Sequence, residues 1–409
     1  MALMIGSHAF LPCVFFIKNP EFMKGFFSLK PMHIMLNGTF IMQTFLMTSS
    51  FLLVYYWQLY SESHQNSWSS LPKKILLRWF RLTPPYAFIL VLTATWFPRV
   101  ATGPSWVKYV AGETKDCRQY WWQNIFYINN YFDSECMRQC WYLATDMQLY
   151  ILAMIIYLSC RTYRSRKIVL SSLFFLGMVL PAVHVYFQDL DGTQMITPEN
   201  ILSLFVNNDH FNYVYKRAHT NISGCVVGIA MGYLVYHWQR KGIRIQKYQT
   251  LPYRMVYWSL FPLATLCCYS GTIFYEEAPR PSVFVRTMYA TFVKPAFSLF
   301  ISGTIIGCIF KIEDVYRGFL EWSGWTYLSR LSYSAYMLHV VIVKTYYMGI
   351  QTKLAQIDYT YVYSTPIMLT IGTFVAAVFF WLLVEAPISK IIKECLSKPA
   401  ITKRKKKTK

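Results

Sequence analysis

Apolar runs of about 20 residues recur along the whole chain, and they constrain its fold more than any other feature. A helix needs about 20 apolar residues to cross the hydrocarbon core of a bilayer, whereas a membrane barrel shows short alternating strands. The runs therefore predict an all-α, polytopic integral membrane protein with about ten transmembrane helices. The predicted spans lie near residues 1–17, 35–57, 76–97, 141–160, 168–187, 222–238, 255–274, 288–310, 326–348 and 364–384.

The composition and the placement of charge favour the same class of protein. Hydrophobic residues make up 55% and charged residues 14% of the 409 residues, against roughly 25% charged residues in a soluble domain. The net charge of +21 comes from basic residues in short connections and near the C-terminus, which is typical of the cytoplasmic segments of membrane proteins. This distribution argues against nucleic acid as a partner and predicts membrane lipids as the surroundings.

No linker or internal repeat divides the chain. We therefore expect one transmembrane domain over residues 1–395 and a basic cytosolic tail over 396–409. The apolar run at 1–17 is at the short limit for a span, so it is expected to be the second part of a helix whose beginning is missing.

Basic clusters predict the orientation of the chain. The short connections at 161–167 and 239–247 each carry four Lys or Arg residues, which places them in the cytosol. Alternation then puts both termini in the cytosol and the segments 98–140 and 188–221 in the lumen or outside the cell. This predicts a multi-pass protein of the plasma membrane or an endomembrane.

One acidic residue interrupts an apolar run. Asp146 lies about one and a half turns inside the predicted helix 141–160, where an ionisable side chain costs about 2.5–3.5 kcal/mol on insertion. It is therefore expected to be paired or to take part in chemistry. Two partners are open at this point: His8, whose imidazole a carboxylate would orient, and Arg217, which would form an ion pair that locks two helices.

Further polar residues occur inside or at the edges of the spans. His8 is a candidate general base, or else a buried histidine bonded to a neighbouring helix. Arg78 and Arg81 share one helix face and either hold phosphates or anchor the helix to anionic lipid. His339 ends the stretch LSRLSYSAYMLH and either lines a substrate path or bonds between helices.

The order of these motifs resembles the acyltransferase-3 family of membrane O-acyltransferases, in particular its nose-resistant-to-fluoxetine-like branch. The similarity is closest over residues 117–150, CRQYWWQNIFYINNYFDSECMRQCWYLATDMQLY, and extends to RWFRLTP, to residues 212–233 and to LSYSAYMLH. The resemblance implies transfer of an acyl group from acyl-coenzyme A or a membrane donor to a hydroxyl of a lipid or other hydrophobic acceptor.

The resemblance also implies roles for individual residues. His8 would be the catalytic base and Asp146 a supporting catalytic residue, while Arg78 and Arg81 would clamp the donor. We further predict that substrate is contacted by Tyr215, Arg217 and His339. Acyl-coenzyme A is expected as a donor substrate; the sequence has neither the His/Cys spacing of a metal site nor a glycine-rich phosphate loop, so no metal or bound cofactor is predicted.

Two comparisons with the family motifs complete the interpretation. Cys117 and Cys136 match family positions, which implies a disulfide between them, whereas Cys140 is an additional cysteine. The family's Val-Asp-Thr-Phe-Phe motif corresponds to MQTFL here, with Gln43 at the position of the aspartate. Because that change fits lost chemistry, the alternative function is a non-catalytic carrier of lipids or drugs.

Overall fold

Helices account for the regular structure of the described part of the chain. The computed structural model describes residues 1–65, 67–203, 205, 208–243, 251–275, 279–312, 314–350 and 354–397. Within these ranges extended backbone pairs at one isolated bridge, between Ile17 and Ala355. The predicted basic tail lies outside the described residues from position 398 onward, as does the end of the basic cluster at 239–247.

The α-helices follow one another with short connections, and several are extended by a 3₁₀ or π turn, such as Leu11–Phe16 after the first helix. Their bounds are α1 (Ala2–Phe10), α2 (Pro20–Ser28), α3 (Met32–Leu36), α4 (Ile41–Ser61), α5 (Ser70–Thr95), α6 (Pro104–Ile125), α7 (Trp141–Ser159), α8 (Tyr163–Phe187), α9 (Pro198–Leu202), α10 (Ile222–Arg240), α11 (Leu251–Ser270), α12 (Val283–Ile309), α13 (Val315–Leu320), α14 (Gly324–Arg330), α15 (Ser332–Lys344), α16 (Tyr359–Phe380) and α17 (Ala386–Ser397). The predicted all-α class is confirmed.

Six helical segments in the described part of the chain are long and apolar enough to cross a membrane. They are Met32–Ser61, Ser70–Thr95, Arg138–Ser159, Tyr163–Phe187, Val283–Ile309 and Tyr359–Ile392. The chain is therefore a multi-pass membrane protein, but the predicted number of about ten spans is not confirmed. A shorter apolar helix covers Ala2–Phe16, and α10, α11 and α15 lie where three further spans are predicted.

A row of glycines brings α10 against α4. Gly224, Gly228 and Gly232 are spaced four residues apart on α10, so they lie on one helix face. A Cβ atom on Gly228 would lie 2.1 Å from the carbonyl oxygen of Met47, and one on Gly232 would lie 3.0 Å from that of Phe51. The two backbones are thus in direct contact, which is how small residues stabilise helix pairs in membranes.

The other helix contacts determine which side chains can meet. α10 also packs against α8 and α12, and α7 packs against α4. The first helix, α1, packs against α15 and α16. A side chain on α1 is therefore presented to α15 and α16.

The predicted external segment 98–140 contains a regular helix, α6. Residues Cys117 and Cys136 form a disulfide that connects α6 to the loop before α7. This confirms the predicted pairing, and Cys140 is a buried free thiol. The disulfide fixes the position of the loop that leads into α7.

Ion pairs join the loops that the sequence places on one side of the membrane. Lys216 Nζ lies 3.0 Å from Asp133 Oδ1, which connects segment 188–221 to segment 98–140. Arg286 and Arg280 both bond Asp189, and they hold the pKa of that carboxyl below its usual value. These contacts hold the connections of the bundle together at the end that carries the disulfide.

The contact between α4 and α10 predicts the effect of a single methyl group. Gly228→Ala should destabilise the protein by about 1–3 kcal/mol, because the new Cβ overlaps the Met47 carbonyl and the helices must separate. The measurement is the thermal unfolding midpoint of the purified protein in detergent.

Gly372 on α16 provides the matched control, because a Cβ there would meet no atom within 4 Å. Gly372→Ala should leave the midpoint unchanged or raise it, since alanine is favoured over glycine in a helix by about 0.8–1.0 kcal/mol. Equal effects of the two substitutions would contradict the proposed backbone contact.

Candidate active site

A cavity of about 260 Å³ lies beside α1 and α15. Its wall is mainly apolar, and the lining includes Met4, Leu11, Phe15, Met42, Phe205 and Phe211. Several polar side chains interrupt this wall, namely Ser7, His8, Glu113, Glu135, Arg138 and Lys344. An apolar cavity with a few convergent polar groups is the usual form of a small-molecule site.

Two histidines from different helices meet at this cavity. His8 on α1 lines the cavity, and its Nδ1 lies 2.9 Å from Nε2 of His339 on α15. His339 is fully buried, and its Nδ1 lies 2.6 Å from the main-chain oxygen of Tyr336. The packing of α1 against α15 therefore creates a His–His pair between residues 331 positions apart.

The hydrogen bonds assign the tautomers of both rings. A carbonyl oxygen only accepts, so Nδ1 of His339 must carry a proton and donate to Tyr336. In neutral His339 the lone pair is then on Nε2, so His8 must donate from its Nδ1. The remaining ring nitrogen of His8, Nε2, carries a lone pair, which is the form required of a general base.

A buried ion pair forms another part of the cavity wall. Lys344 Nζ lies 2.6 Å from Oε2 of Glu113, which joins the end of α15 to α6. Both side chains line the cavity. The pair neutralises two charges that would otherwise be costly in an apolar environment, and it fixes the last turn of α15.

Tyrosines connect the cavity wall to the loop before α7. The hydroxyl of Tyr336 donates to the main-chain oxygen of Gln139 at 2.6 Å. Tyr215, a predicted substrate contact, also lines the cavity, and its hydroxyl donates to the Thr39 carbonyl at 3.4 Å. Both hydroxyls are thus anchored to main chain while the rings face the cavity region.

Asp146 has a different partner from either of the two that the sequence left open. Its carboxylate pairs with the guanidinium of Arg78 on α5, and the same guanidinium lies over the ring of Tyr150 at 4.3 Å. His8 is not its partner: α1 packs against α15 and α16, and the imidazole of His8 bonds His339 instead. Neither Asp146 nor Arg78 lines the cavity.

An aromatic contact lies between the cavity and this ion pair. Tyr142 is one helical turn before Asp146, and its ring centroid is 6.0 Å from that of Tyr336. Since Tyr336 lines the cavity, the two tyrosines separate the histidine pair from the Arg78–Asp146 pair. The structure therefore brings the predicted catalytic residues into two polar clusters.

The remaining predicted site residues lie apart from the cavity lining. Arg81 is exposed on α5. Arg217 donates from Nε to the Asn212 carbonyl at 3.0 Å and lies over the ring of Tyr213 at 4.6 Å. Of the seven residues predicted for catalysis or substrate binding, His8, Tyr215 and the buried partner His339 are thus gathered at the cavity.

Sequence reasoning missed several residues of the cavity wall. Lys344 lies inside the predicted span 326–348 and had the same signal as Asp146, a charge in an apolar run. Its partner Glu113 gave no such signal, because it occurs in a segment treated as a loop. Among the described residues, no group of three or more His, Cys, Asp or Glu side chains is arranged to hold a metal ion.

Comparisons with known proteins cover nearly the whole chain. The acyltransferase-3 family model, described as an acyltransferase domain, matches residues 1–385. The Caenorhabditis elegans protein named Nose resistant to fluoxetine protein 6 is 25% identical over 346 residues, which is 80% of this chain and 40% of that relative. The chain thus spans less than half the length of this relative. No solved structure matches the chain significantly.

The Arg78–Asp146 pair predicts a characteristic pattern of stability. Asp146→Asn should lower the free energy of unfolding by about 3 kcal/mol, because it leaves the guanidinium of Arg78 buried without a counter-charge. The double variant Arg78→Leu, Asp146→Leu should recover most of this loss, since it removes both charges. Both effects are read from unfolding midpoints in detergent.

Arg81→Gln is the control, because this arginine is exposed on the same helix. It should leave the midpoint unchanged. A double variant that is as unstable as Asp146→Asn would contradict the prediction that the two charges act on stability by neutralising each other.

Proposed function

We propose that this chain, which belongs to the acyltransferase-3 family, is an integral membrane O-acyltransferase. It would move an acyl group from acyl-coenzyme A or a membrane donor to a hydroxyl of a lipid or other hydrophobic acceptor. The observation that carries the proposal is the hydrogen-bonded pair of His8 and His339 at the wall of an apolar cavity.

The pair supports a mechanism of acyl transfer with His8 as the base. Nε2 of His8 takes the proton of the acceptor hydroxyl as its oxygen attacks the carbonyl carbon of the thioester. The new C–O bond forms, the C–S bond breaks, and the thiolate of the donor takes the proton back from His8. During this exchange Nε2 of His339 accepts a hydrogen bond from the Nδ1–H of His8, which stabilises the imidazolium of His8 and fixes its orientation.

The cavity supports a hydrophobic acceptor. Apolar side chains such as Met4, Phe15 and Phe211 form much of its wall, so an alkyl or sterol body is favoured there by the apolar surface it removes from water. Tyr215 and the Glu113–Lys344 pair provide polar contacts in the same cavity. An acceptor with an apolar body and a single hydroxyl end matches this distribution.

For the donor, the two arginines of α5 take different roles. Arg81 is exposed and its guanidinium can meet phosphate oxygens in the bidentate geometry that arginine favours. Arg78 is held by Asp146, so we assign this pair to fixing α5, the helix that presents Arg81. Asp146 then contributes to donor binding indirectly, by holding Arg78 and thus α5, and it does not contact the imidazole of His8.

A carrier of hydrophobic compounds is the second candidate function. The apolar lining of the cavity supports it, because such a cavity also holds a ligand that is not transformed. Gln43, which replaces the aspartate of the family motif, does not line the cavity and bonds Asn221 at 2.5 Å. The change therefore leaves the histidine pair intact, and this favours the enzyme over the carrier.

The catalytic proposal predicts the effect of removing either histidine. With labelled acyl-coenzyme A donors and lipid alcohols, His8→Ala should lower the transfer rate about 10²–10⁴-fold, the usual contribution of a general base. His339→Ala should lower the rate less and change the pH–rate profile, because His8 remains but loses its orienting acceptor. The measurement is product formation by purified protein in lipid nanodiscs.

His64→Ala is the matched control, since this histidine is exposed beyond α4, and it should leave the rate unchanged. Wild-type protein that neither hydrolyses nor transfers any acyl group, or a His8→Ala variant of unchanged rate, would contradict the enzyme. Binding of a hydrophobic ligand that survives His8→Ala, without any acyl product, would support the carrier.

A further inference from the structure

One buried cation in the helix bundle lacks a carboxylate. Lys294 is on α12 and is only 8% exposed. Its Nζ lies 3.3 Å from the Val214 carbonyl and 3.2 Å from Oδ1 of Asn221. Both contacts are to neutral oxygens, and no carboxylate of the described residues pairs with it.

The other buried cations show that this is unusual for the protein. Lys216 is 3% exposed and pairs with Asp133, and Arg286 is 3% exposed and pairs with Asp189. A charge that is taken out of water without a counter-charge is strongly destabilising. Lys294 therefore requires an anion that is not one of its side-chain neighbours, unless it gives up its proton.

A neutral amide lies next to Lys294, at the position where a carboxylate could supply a counter-charge. Gln43 Nε2 donates to Oδ1 of Asn221 at 2.5 Å, and this is the same oxygen that Lys294 contacts. A carboxylate there would lie close to Lys294, whereas the amide carries no charge and its buried Oε1 has no hydrogen-bond partner.

A small cavity is present beside the ammonium group. Lys294 lines a cavity of about 10 Å³ together with Thr193, Gln194 and His210. This volume holds a single particle of about the size of a water molecule. Thr39, Gln194 and Tyr215 line both this cavity and the large one, so the small cavity adjoins the space beside His8.

We propose that a small monovalent inorganic anion, chloride, binds in this cavity and neutralises Lys294. The ammonium group supplies the charge, and Thr193 is a polar residue of the cavity lining. The small volume excludes a fatty carboxylate or a phosphate, and the cavity shares part of its wall with the large one. The proposal concerns the bundle itself and does not depend on acyl transfer.

The test compares chloride with gluconate, an anion too large for the cavity, at equal sodium concentration. Chloride should raise the thermal unfolding midpoint of the purified protein by several degrees in a saturable way, because a ligand that binds only the folded state stabilises it. Radiolabelled chloride should bind at about one ion per chain. Lys294→Met should abolish both effects.

Two further variants make the result specific. Gln43→Glu supplies a carboxylate beside Lys294 and should weaken chloride binding about tenfold or more, since the site then has its own counter-charge. Lys216→Met removes a buried lysine that already has a carboxylate partner. Even if this variant is less stable, chloride should still raise its unfolding midpoint as it does for the wild type.

Equal midpoints in chloride and gluconate, together with no bound radiolabel, would overturn the proposal and assign Lys294 a neutral amine. Stabilisation by fatty carboxylates in the absence of a chloride effect would overturn it as well, in favour of a substrate carboxylate. Should Lys294→Met fail to fold, radiolabel binding to the wild type and to Gln43→Glu still decides between these results.

Discussion

The pairing of polar side chains inside an apolar bundle is the constraint on which the rest of this structure depends. Neither lipid nor packed apolar side chains can replace water as a hydrogen-bond partner, so each buried polar group needs one from the protein. Arg78 meets Asp146, Lys344 meets Glu113, and His8 meets His339. Each pair joins two helices, and each therefore determines both the packing and the chemistry available at that place.

The position of α1 is decisive for function. Its contacts with α15 and α16 place His8 beside His339 and on the wall of the large cavity. The tautomers that follow leave a basic nitrogen on His8 without the need for a carboxylate. Asp146 is therefore not needed to orient the base. Its ion pair with Arg78 holds α5 in place.

Much of the helical architecture could be predicted from the sequence, because long apolar runs report directly on membrane spans. The helix α6 could also have been found, since its buried residues Trp106, Val110, Glu113 and Cys117 recur at helical spacing. The four-residue spacing of the glycines at 224, 228 and 232 also indicates a close helix contact. The length of apolar runs alone does not reveal either feature.

The partners of the polar residues could not be predicted in the same way. Asp146 shows in the sequence that it needs a cation, but Arg78, Arg217 and other cations satisfy that need equally well until the packing of the helices is known. The same holds for His8, whose partner is 331 positions away. A single ionisable residue in an apolar run indicates that burial costs free energy. The partner that offsets this cost depends on how the helices pack.

In the proposed reaction His8 is the base that acts on an acyl donor at the large cavity. A structure with a non-hydrolysable thioether analogue of acyl-coenzyme A tests it most directly. If His8 is the base, the carbon in place of the thioester carbonyl lies within about 6 Å of Nε2 of His8, the distance bridged by one hydroxyl oxygen. An analogue bound with that carbon outside the cavity, more than about 10 Å from the imidazole and beyond the reach of a bridging water, would contradict it.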